Sequence, residues 1–234
     1  MIYGQTDVGN VRPLNEDSFY FESTPKGYVM MVADGMGGHN GGEVASQLAV
    51  ESVREYMAQE DIFSDPEIAL RRAVKHANDA VYELASKKES LAGMGTTLVL
   101  AVGNEKSVCI ANVGDSRAYL VSKNNIRQVT KDHKFVNELV KKGVITKEQA
   151  KNHPKSNIIL KALGIEPEVY PDIFLLEKKR TDKILLCSDG LSGLVSDEEI
   201  LEVMSKFNKK NACMELVRLA KEHGGNDNIT VVIG

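Results

Sequence analysis

The sequence predicts an α+β protein. Two helical patterns stand together, at 42–57 and 66–85, and hairpin-linked strands follow them between 95 and 130. Grouped helices followed by paired strands argue against a doubly wound parallel sheet, in which the two alternate. The third observation is the run Tyr28-Val29-Met30-Met31-Val32-Ala33, nearly unbroken in apolar character, which ends in Asp34. It reads as a strand buried on both faces.

Taken in order, residues 1–8 and 17–22 read as strands. The loop between them gathers Arg12, Glu16 and Asp17 beside Pro13. That loop is either a solvated turn or a phosphate grip, because a guanidinium fork matches phosphate oxygens. After Asp34, five glycines (Gly35, Gly37, Gly38, Gly41, Gly42) crowd a turn that also holds His39 and Asn40. Glycines let the backbone bend tightly and approach a ligand closely. In the 42–57 helix, Ala45, Leu48, Ala49, Val53 and Tyr56 fall on one face. The 66–85 helix opens on Ser64 and Glu67 at capping-box spacing, with Pro66 in the first turn. Its apolar face is Leu70, Ala73, Val74, Ala77, Val81 and Leu84, and His76 within it reads as a surface or packing residue.

Strands are expected at 95–103, 106–112, 116–122 and 126–130. The spacers Asn104-Glu105 and Asn124-Asn125 read as hairpin turns, so the stretch is expected to be an antiparallel meander. Asp132 is placed to cap a helix ending before Gly143, and Thr146 with Gln149 has capping-box spacing for a short second one. Between Lys131 and Lys155 seven lysines stand against three acidic residues. Such a block is usually a solvated face; the alternative is a mobile basic lid over an anionic substrate. Strands return at 172–177 and 183–188. Ser196 with Glu199 caps a helix to about Lys206, and a longer helix from Lys209 to His223 stops at Gly224-Gly225. The last strand is 228–233.

No Pro/Ser-rich linker or repeat divides the 234 residues, so one domain spanning 1–234 is expected. A formal net charge of −4 argues against bulk nucleic-acid binding. No apolar run is long enough to span a bilayer, and residues 1–7 lack the basic and apolar regions of a signal peptide. Three cysteines, two in strand patterns and one in a helical pattern, fit core thiols in a reducing cytoplasm better than disulfides or zinc.

The chemistry lies in the aspartates. A P-loop needs Lys-Ser/Thr after its last glycine, and Glu43 stands there. A dinucleotide fingerprint fails because Asn40 takes the third glycine's place. A metal site or a plain turn is left. The pattern recurs: apolar strands meet Gly114-Asp115, Asp189-Gly190 and Asp227-Asn228 as well as Asp34-Gly35. Four such ends suggest carboxylates converging at one edge of a sheet core. Oxygen ligands select hard cations such as Mg2+ or Mn2+ over zinc.

The motifs Arg12-x-x-Asn15-Glu16-Asp17, Asp34-Gly35-Met36-Gly37-Gly38-His39, Gly95-Thr96-Thr97, Val113-Gly114-Asp115-Ser116-Arg117, Ser188-Asp189-Gly190 and Gly225-Asn226-Asp227-Asn228-Ile229-Thr230 resemble, in order and spacing, the metal-dependent Ser/Thr protein phosphatases (PPM, type 2C). Residues 131–163 are similar to the flap of the compact bacterial members. The resemblance covers essentially the whole chain. It implies two antiparallel sheets packed face to face between helices, a four-layer αββα sandwich. It also implies two Mn2+ or Mg2+ ions bridged by a carboxylate and an attacking water. Carried over by motif, Asp34 bridges the ions, Gly35 gives a carbonyl, and Asp189 and Asp227 complete the set. Glu16, Asp17 and Asn228 would support metal-bound waters, Arg12 would grip the phosphate, and His39 would be the general acid. Asp115 matches the ligand of a third, weaker metal. One departure is Gly193, where many animal and plant members carry an acid that helps the third ion. Phosphoproteins marked by a cognate Ser/Thr kinase are the implied substrates of a monomeric, cytoplasmic enzyme, with no nucleic acid or membrane partner.

Two rival readings are weaker. An aspartyl-phosphate mechanism on Asp34 needs a second acid two residues on, and Met36 is there. A dead relative acting as a binding module should have lost its metal aspartates, and all four are present.

Overall fold

The structure, a computed structural model, describes residues 1–37 and 41–234. In chain order its strands and helices are β1 (Tyr3–Asp7), β2 (Asp17–Thr24), β3 (Gly27–Met36), α1 (Gly41–Gln59), α2 (Pro66–Lys87), β4 (Gly95–Thr96), β5 (Leu98–Gly103), β6 (Ser107–Val113), β7 (Arg117–Ser122), β8 (Asn125–Gln128), α3 (Phe135–Lys141), α4 (Lys147–Lys151), β9 (Asp172–Glu177), β10 (Lys183–Cys187), α5 (Asp189–Ser192), α6 (Asp197–Lys206), α7 (Lys209–Glu222) and β11 (Ile229–Ile233).

The strands form two sheets, every pairing antiparallel. One has the order β1-β11-β10-β7-β8 and the other β2-β3-β5-β6-β9, with β4 paired to the end of β3. The period-2 alternation of side chains sorts each strand between two cores. From β3, Met30 and Val32 meet Ile184, Leu186 and Val232 between the sheets. Its alternate residues Val29, Met31 and Ala33 pack on Ala45, Ala49 and Val53 of α1 and Leu70, Val74 and Val81 of α2. On the other side, Leu185, Cys187, Val231 and Ile233 pack against Ile200, Met204, Leu216 and Ala220 of α6 and α7. Helices, sheet, sheet, helices: the four layers are as expected, and continuous apolar runs mark strands covered on both faces.

The capping boxes at Thr146/Gln149 and Ser196/Glu199 both form. Two other expected caps do not. Asp65, not Ser64, caps α2 by accepting from the Ile68 N–H at 3.2 Å, while the Ser64 hydroxyl turns back to the Asp61 carbonyl. With Pro66 fixed as the first helical residue, Asp65 is one position nearer the free N–H groups. Asp132 does not cap α3, which begins at Phe135; its carboxylate is held by the Arg117 guanidinium at 2.7–3.2 Å and by Gln128.

The meander expected over 95–130 is broken in the middle. β5 pairs with β6 and β7 with β8, but β6 lies in one sheet and β7 in the other. The chain crosses between sheets at Gly114-Asp115-Ser116. Gly114 has φ +104 and a Cβ there would meet the Thr97 methyl at 2.5 Å, so both conformation and space demand glycine. Hairpin signals mark turns inside each pair; nothing local distinguishes a turn from a crossing.

His76 is exposed on α2 and tilts against Tyr56, as expected for a packing residue. All three cysteines are buried free thiols. Among the described residues, no helix is long and apolar enough to cross a membrane.

Leu186 is fully buried between the sheets, whereas Leu175 on β9 is 72% exposed. Leu186→Ala is expected to lower unfolding free energy by about 2–5 kcal/mol, and Leu175→Ala by less than about 0.5 kcal/mol. Urea denaturation of both variants measures the difference; equal losses would refute the placement of the inter-sheet core.

Candidate metal centre

Three backbone devices bring the acids together. Asp17 on β2 stands directly opposite Asp34 on β3 in the strand register. The end of β10 pairs with the start of β7, which puts Ser188-Asp189 beside Asp115-Ser116. The start of β11 lies antiparallel to the end of β1, and Asp227 stands two residues before it. Both sheets and the crossing between them therefore deliver a carboxylate to the same end of the sandwich.

Hydrogen bonds fix the backbone around each. The Asp34 N–H donates to Thr97 Oγ1 at 3.0 Å, and its carbonyl accepts from the Thr97 N–H and the Thr96 hydroxyl, both at 2.9 Å. Thr97 in turn shares a 2.7 Å hydroxyl contact with Ser116 across the two sheets. Gly35 donates its N–H to the Glu16 carbonyl at 3.0 Å, and a Cβ there would lie 2.1 Å from the Gly42 carbonyl oxygen. No other residue fits. Ser188 gives its hydroxyl proton to Asp17 at 2.7 Å and accepts from the Thr230 N–H at 2.9 Å. Asn228 accepts from the Glu16 N–H at 2.7 Å and donates to the Val8 and Leu14 carbonyls. One amide side chain thus clasps the Arg12–Asp17 loop to the last strand.

The electrostatics are severe. Burial, with repulsion from Asp189 and Asp227, pushes Asp17 up to about 7 despite its bond from Ser188. Asp34 is raised well above the ordinary aspartate value, by burial first and then by Asp17, Asp189, Asp115 and Asp227. Asp189 is raised to about 6 by burial and Asp115, against the opposing pull of Lys134. Burial also raises Glu16, with Arg12 working the other way. Asp34 and Asp189 keep an edge in solvent, while Asp17 is enclosed. One oxygen of Asp17 and both of Asp115 are buried without a hydrogen bond.

Two basic side chains reach into this set. Arg12 Nη2 lies 2.8 Å from Asp227. Lys134 Nζ lies 2.7 Å from Asp115, close but off the line of a hydrogen bond, and 3.6 Å from Asp189. Clustered carboxylate oxygens with unmet hydrogen-bonding capacity and an excess of negative charge fit hard divalent cations. Among the described residues no three acidic, histidine or cysteine side chains are gathered tightly enough to clamp an ion alone. Backbone carbonyl and water oxygens would have to complete each shell.

The arrangement places this chain. Residues 11–223 match the family described as protein phosphatase 2C. The chain belongs to the protein phosphatase 2C family. It is 41% identical to the serine/threonine phosphatase stp of Listeria welshimeri over 98% of this chain and 93% of that one. The crystal structure of the serine/threonine phosphatase Stp1 from Staphylococcus aureus superposes with a TM-score of 0.93 at 38% identity, covering 99% of this chain and 93% of that one. The catalytic domain of the phosphatase PstP, solved with two manganese ions, gives 0.86 at 38% identity, covering 100% and 96%.

Asp34, Gly35, Asp115, Asp189, Asp227, Glu16, Asp17, Asn228 and Arg12 are thus brought to one end of this phosphatase 2C fold. His39 lies outside the described residues. Sequence reading missed Ser188, Thr97 and Ser116 as braces and Lys134 as a partner of Asp115. The first three were inside quoted motifs and carried no assigned role; Lys134 was hidden in a lysine block.

The raised carboxylates predict a pH dependence for chelated protein. Between about pH 4 and 7, folded Asp17 keeps a proton that the unfolded chain, at its ordinary 3.8, has released. Its contribution to stability is therefore greatest at the acid end and is lost as pH rises through that window. Saturating Mn2+ should reverse this slope, because protons compete with the metal for the same oxygens. Melting temperatures with EDTA and with Mn2+ test it; parallel profiles would exclude linked proton and metal binding at these acids.

Proposed function

We propose that Asp34, the Gly35 carbonyl, Asp189 and Asp227 hold two Mn2+ or Mg2+ ions, with Glu16 and Asp17 accepting hydrogen bonds from their waters. The observation that carries this is the gathering of Asp17, Asp34 and Asp189, each raised first by burial and then by neighbouring carboxylates, beside oxygens of Asp17 and Asp115 that are buried without a hydrogen bond. The protein is a metal-dependent serine/threonine protein phosphatase, an activity shared by name with its relatives. Its substrates are phosphoproteins.

When bound, the two cations offset the charge of a phosphate dianion and make a water acidic enough to attack at neutral pH. The chain's own groups do the rest. Arg12, half-exposed at the rim and already turned toward Asp227, is placed to exchange that carboxylate for two phosphate oxygens. Ser188 and Asn228 keep Asp17 and Glu16 in position. Thr96 and Thr97 fix the Asp34 backbone, so its carboxylate and the next carbonyl point the same way each time. His39 is proposed as the donor of a proton to the departing serine or threonine oxygen, from its place in the glycine-rich sequence after Asp34.

We also read the chain as a single domain whose insert at 131–163 forms a flap, acting as a monomer in the cytoplasm on targets of a cognate Ser/Thr kinase. Of the insert's lysines, Lys131, Lys142 and Lys147 are exposed and would face an acidic substrate, while the exposed Lys141 pairs with Glu138 and Lys155 lies over the Phe135 ring.

Hydrolysis of a phosphoserine peptide with and without Mn2+ tests the function. Asp227→Ala is expected to reduce Mn2+-dependent turnover to near background while circular dichroism stays native, because one fewer carboxylate faces two close cations. Full turnover at low Mn2+ would remove Asp227 from the ligand set. His39→Gln is expected to slow phosphoserine-peptide hydrolysis about 10²–10⁴-fold but p-nitrophenyl phosphate far less, since p-nitrophenolate leaves without a proton. Equal losses in kcat at saturating Mn2+ would take the general-acid role from His39.

A further inference from the structure

Lys134 differs from the other lysines of the insert whose side chains are described. Its side chain is 18% exposed, and its ammonium is set against two acids from different parts of the fold, Asp115 at 2.7 Å and Asp189 at 3.6 Å. Asp115 is 1% exposed, with no hydrogen bond to either carboxylate oxygen. A buried carboxylate in that state needs a positive charge beside it.

The backbone holding Lys134 is tied on both sides. The His133 N–H donates to the Gly114 carbonyl, and the Gly114 N–H donates to His133 Nδ1, each at 3.0 Å. Lys134 forms a backbone bridge with Ile159, and the Phe135 N–H donates to the Ile158 carbonyl at 2.9 Å. The ammonium is therefore delivered from a fixed point rather than from a free surface chain.

Asp115 and Asp189 are also the pair on which a third divalent ion would have to rely, since Gly193 carries no carboxylate. A divalent ion and an ammonium cannot share that space without strong like-charge repulsion. We propose that Lys134 is a resident cation of the Asp115–Asp189 pair, taking the place of a third metal and fastening the insert to the site. This rests on the reading that Asp34, Gly35, Asp189 and Asp227 hold the first two ions. The protein then works as a two-metal enzyme with a built-in third positive charge, and Lys134 is a positioning residue.

Counting bound Mn2+ by electron paramagnetic resonance on the full chain, stripped with EDTA and reloaded, tests this without an activity assay. Wild type is expected to bind two ions per chain, with no further class up to millimolar Mn2+. Lys134→Ala is expected to gain a third, weaker ion, and Asp115→Asn added to it should lose that ion again. Lys134→Ser serves the same purpose if the alanine variant does not fold, because its hydroxyl and the space around it admit water beside Asp115. A third ion on wild type, or an unchanged count in both folded Lys134 variants, would overturn the assignment. Fewer than two ions on wild type would refute the core-pair reading itself, and this inference with it.

Discussion

Repulsion among carboxylates at one end of the sandwich is the constraint on which the rest depends. Asp17, Asp34, Asp115, Asp189 and Asp227 all contribute to it, and only Arg12 and Lys134, among the described residues, oppose it with an ion pair to one of them. Such an arrangement costs stability in the absence of added positive charge, because each carboxylate is held where water cannot fully screen it. It is tolerated because the remainder of the fold is apolar and continuous: two sheets share one core and each is sealed by helices on its outer face.

Precision comes from neutral hydrogen bonds rather than from the charges. Ser188 binds Asp17 across the two sheets, the Thr97–Ser116 contact spans them a second time, and Asn228 ties the first loop to the last strand. None of these groups carries a charge, so they hold the acids whether or not cations are bound. The insert is fastened by the same means. Asn78, fully buried in α2, accepts from the Gly164 N–H and donates to the Glu166 and Pro167 carbonyls where the insert returns to the body. One end of the segment thus hangs on an amide and the other on the paired His133–Gly114 bonds.

The lysine block shows why charge patterns alone mislead. In sequence Lys134 is one basic residue among seven, and a solvated face or a lid were the available readings. In space the His133–Gly114 strap turns it inward toward acids some nineteen and fifty-five residues away. Asp132 was misread for a related reason. Its position suits a helix cap, yet a guanidinium fork offering two or three charge-assisted bonds outcompetes the backbone N–H groups of a short helix.

What the sequence determined by itself is whatever rests on local pattern. The apolar runs defined the strands, the 3.6 period defined α1 and α2, Gly224-Gly225 marked the end of α7, the Thr146 and Ser196 boxes defined helix starts, and aspartates beside strand ends announced an oxygen-ligand site. These follow from side-chain chemistry within a few residues, which the chain carries wherever it goes. Tertiary structure decided which strands share a sheet, and with it that Gly114 is a crossing rather than a turn. It also decided which hydroxyls brace which acids, and that Lys134 is set against Asp115 and Asp189. Those outcomes depend on groups far apart in the chain meeting at fixed distances. No local pattern encodes such a meeting, because the energy that selects it exists only once both sheets and their helices have packed.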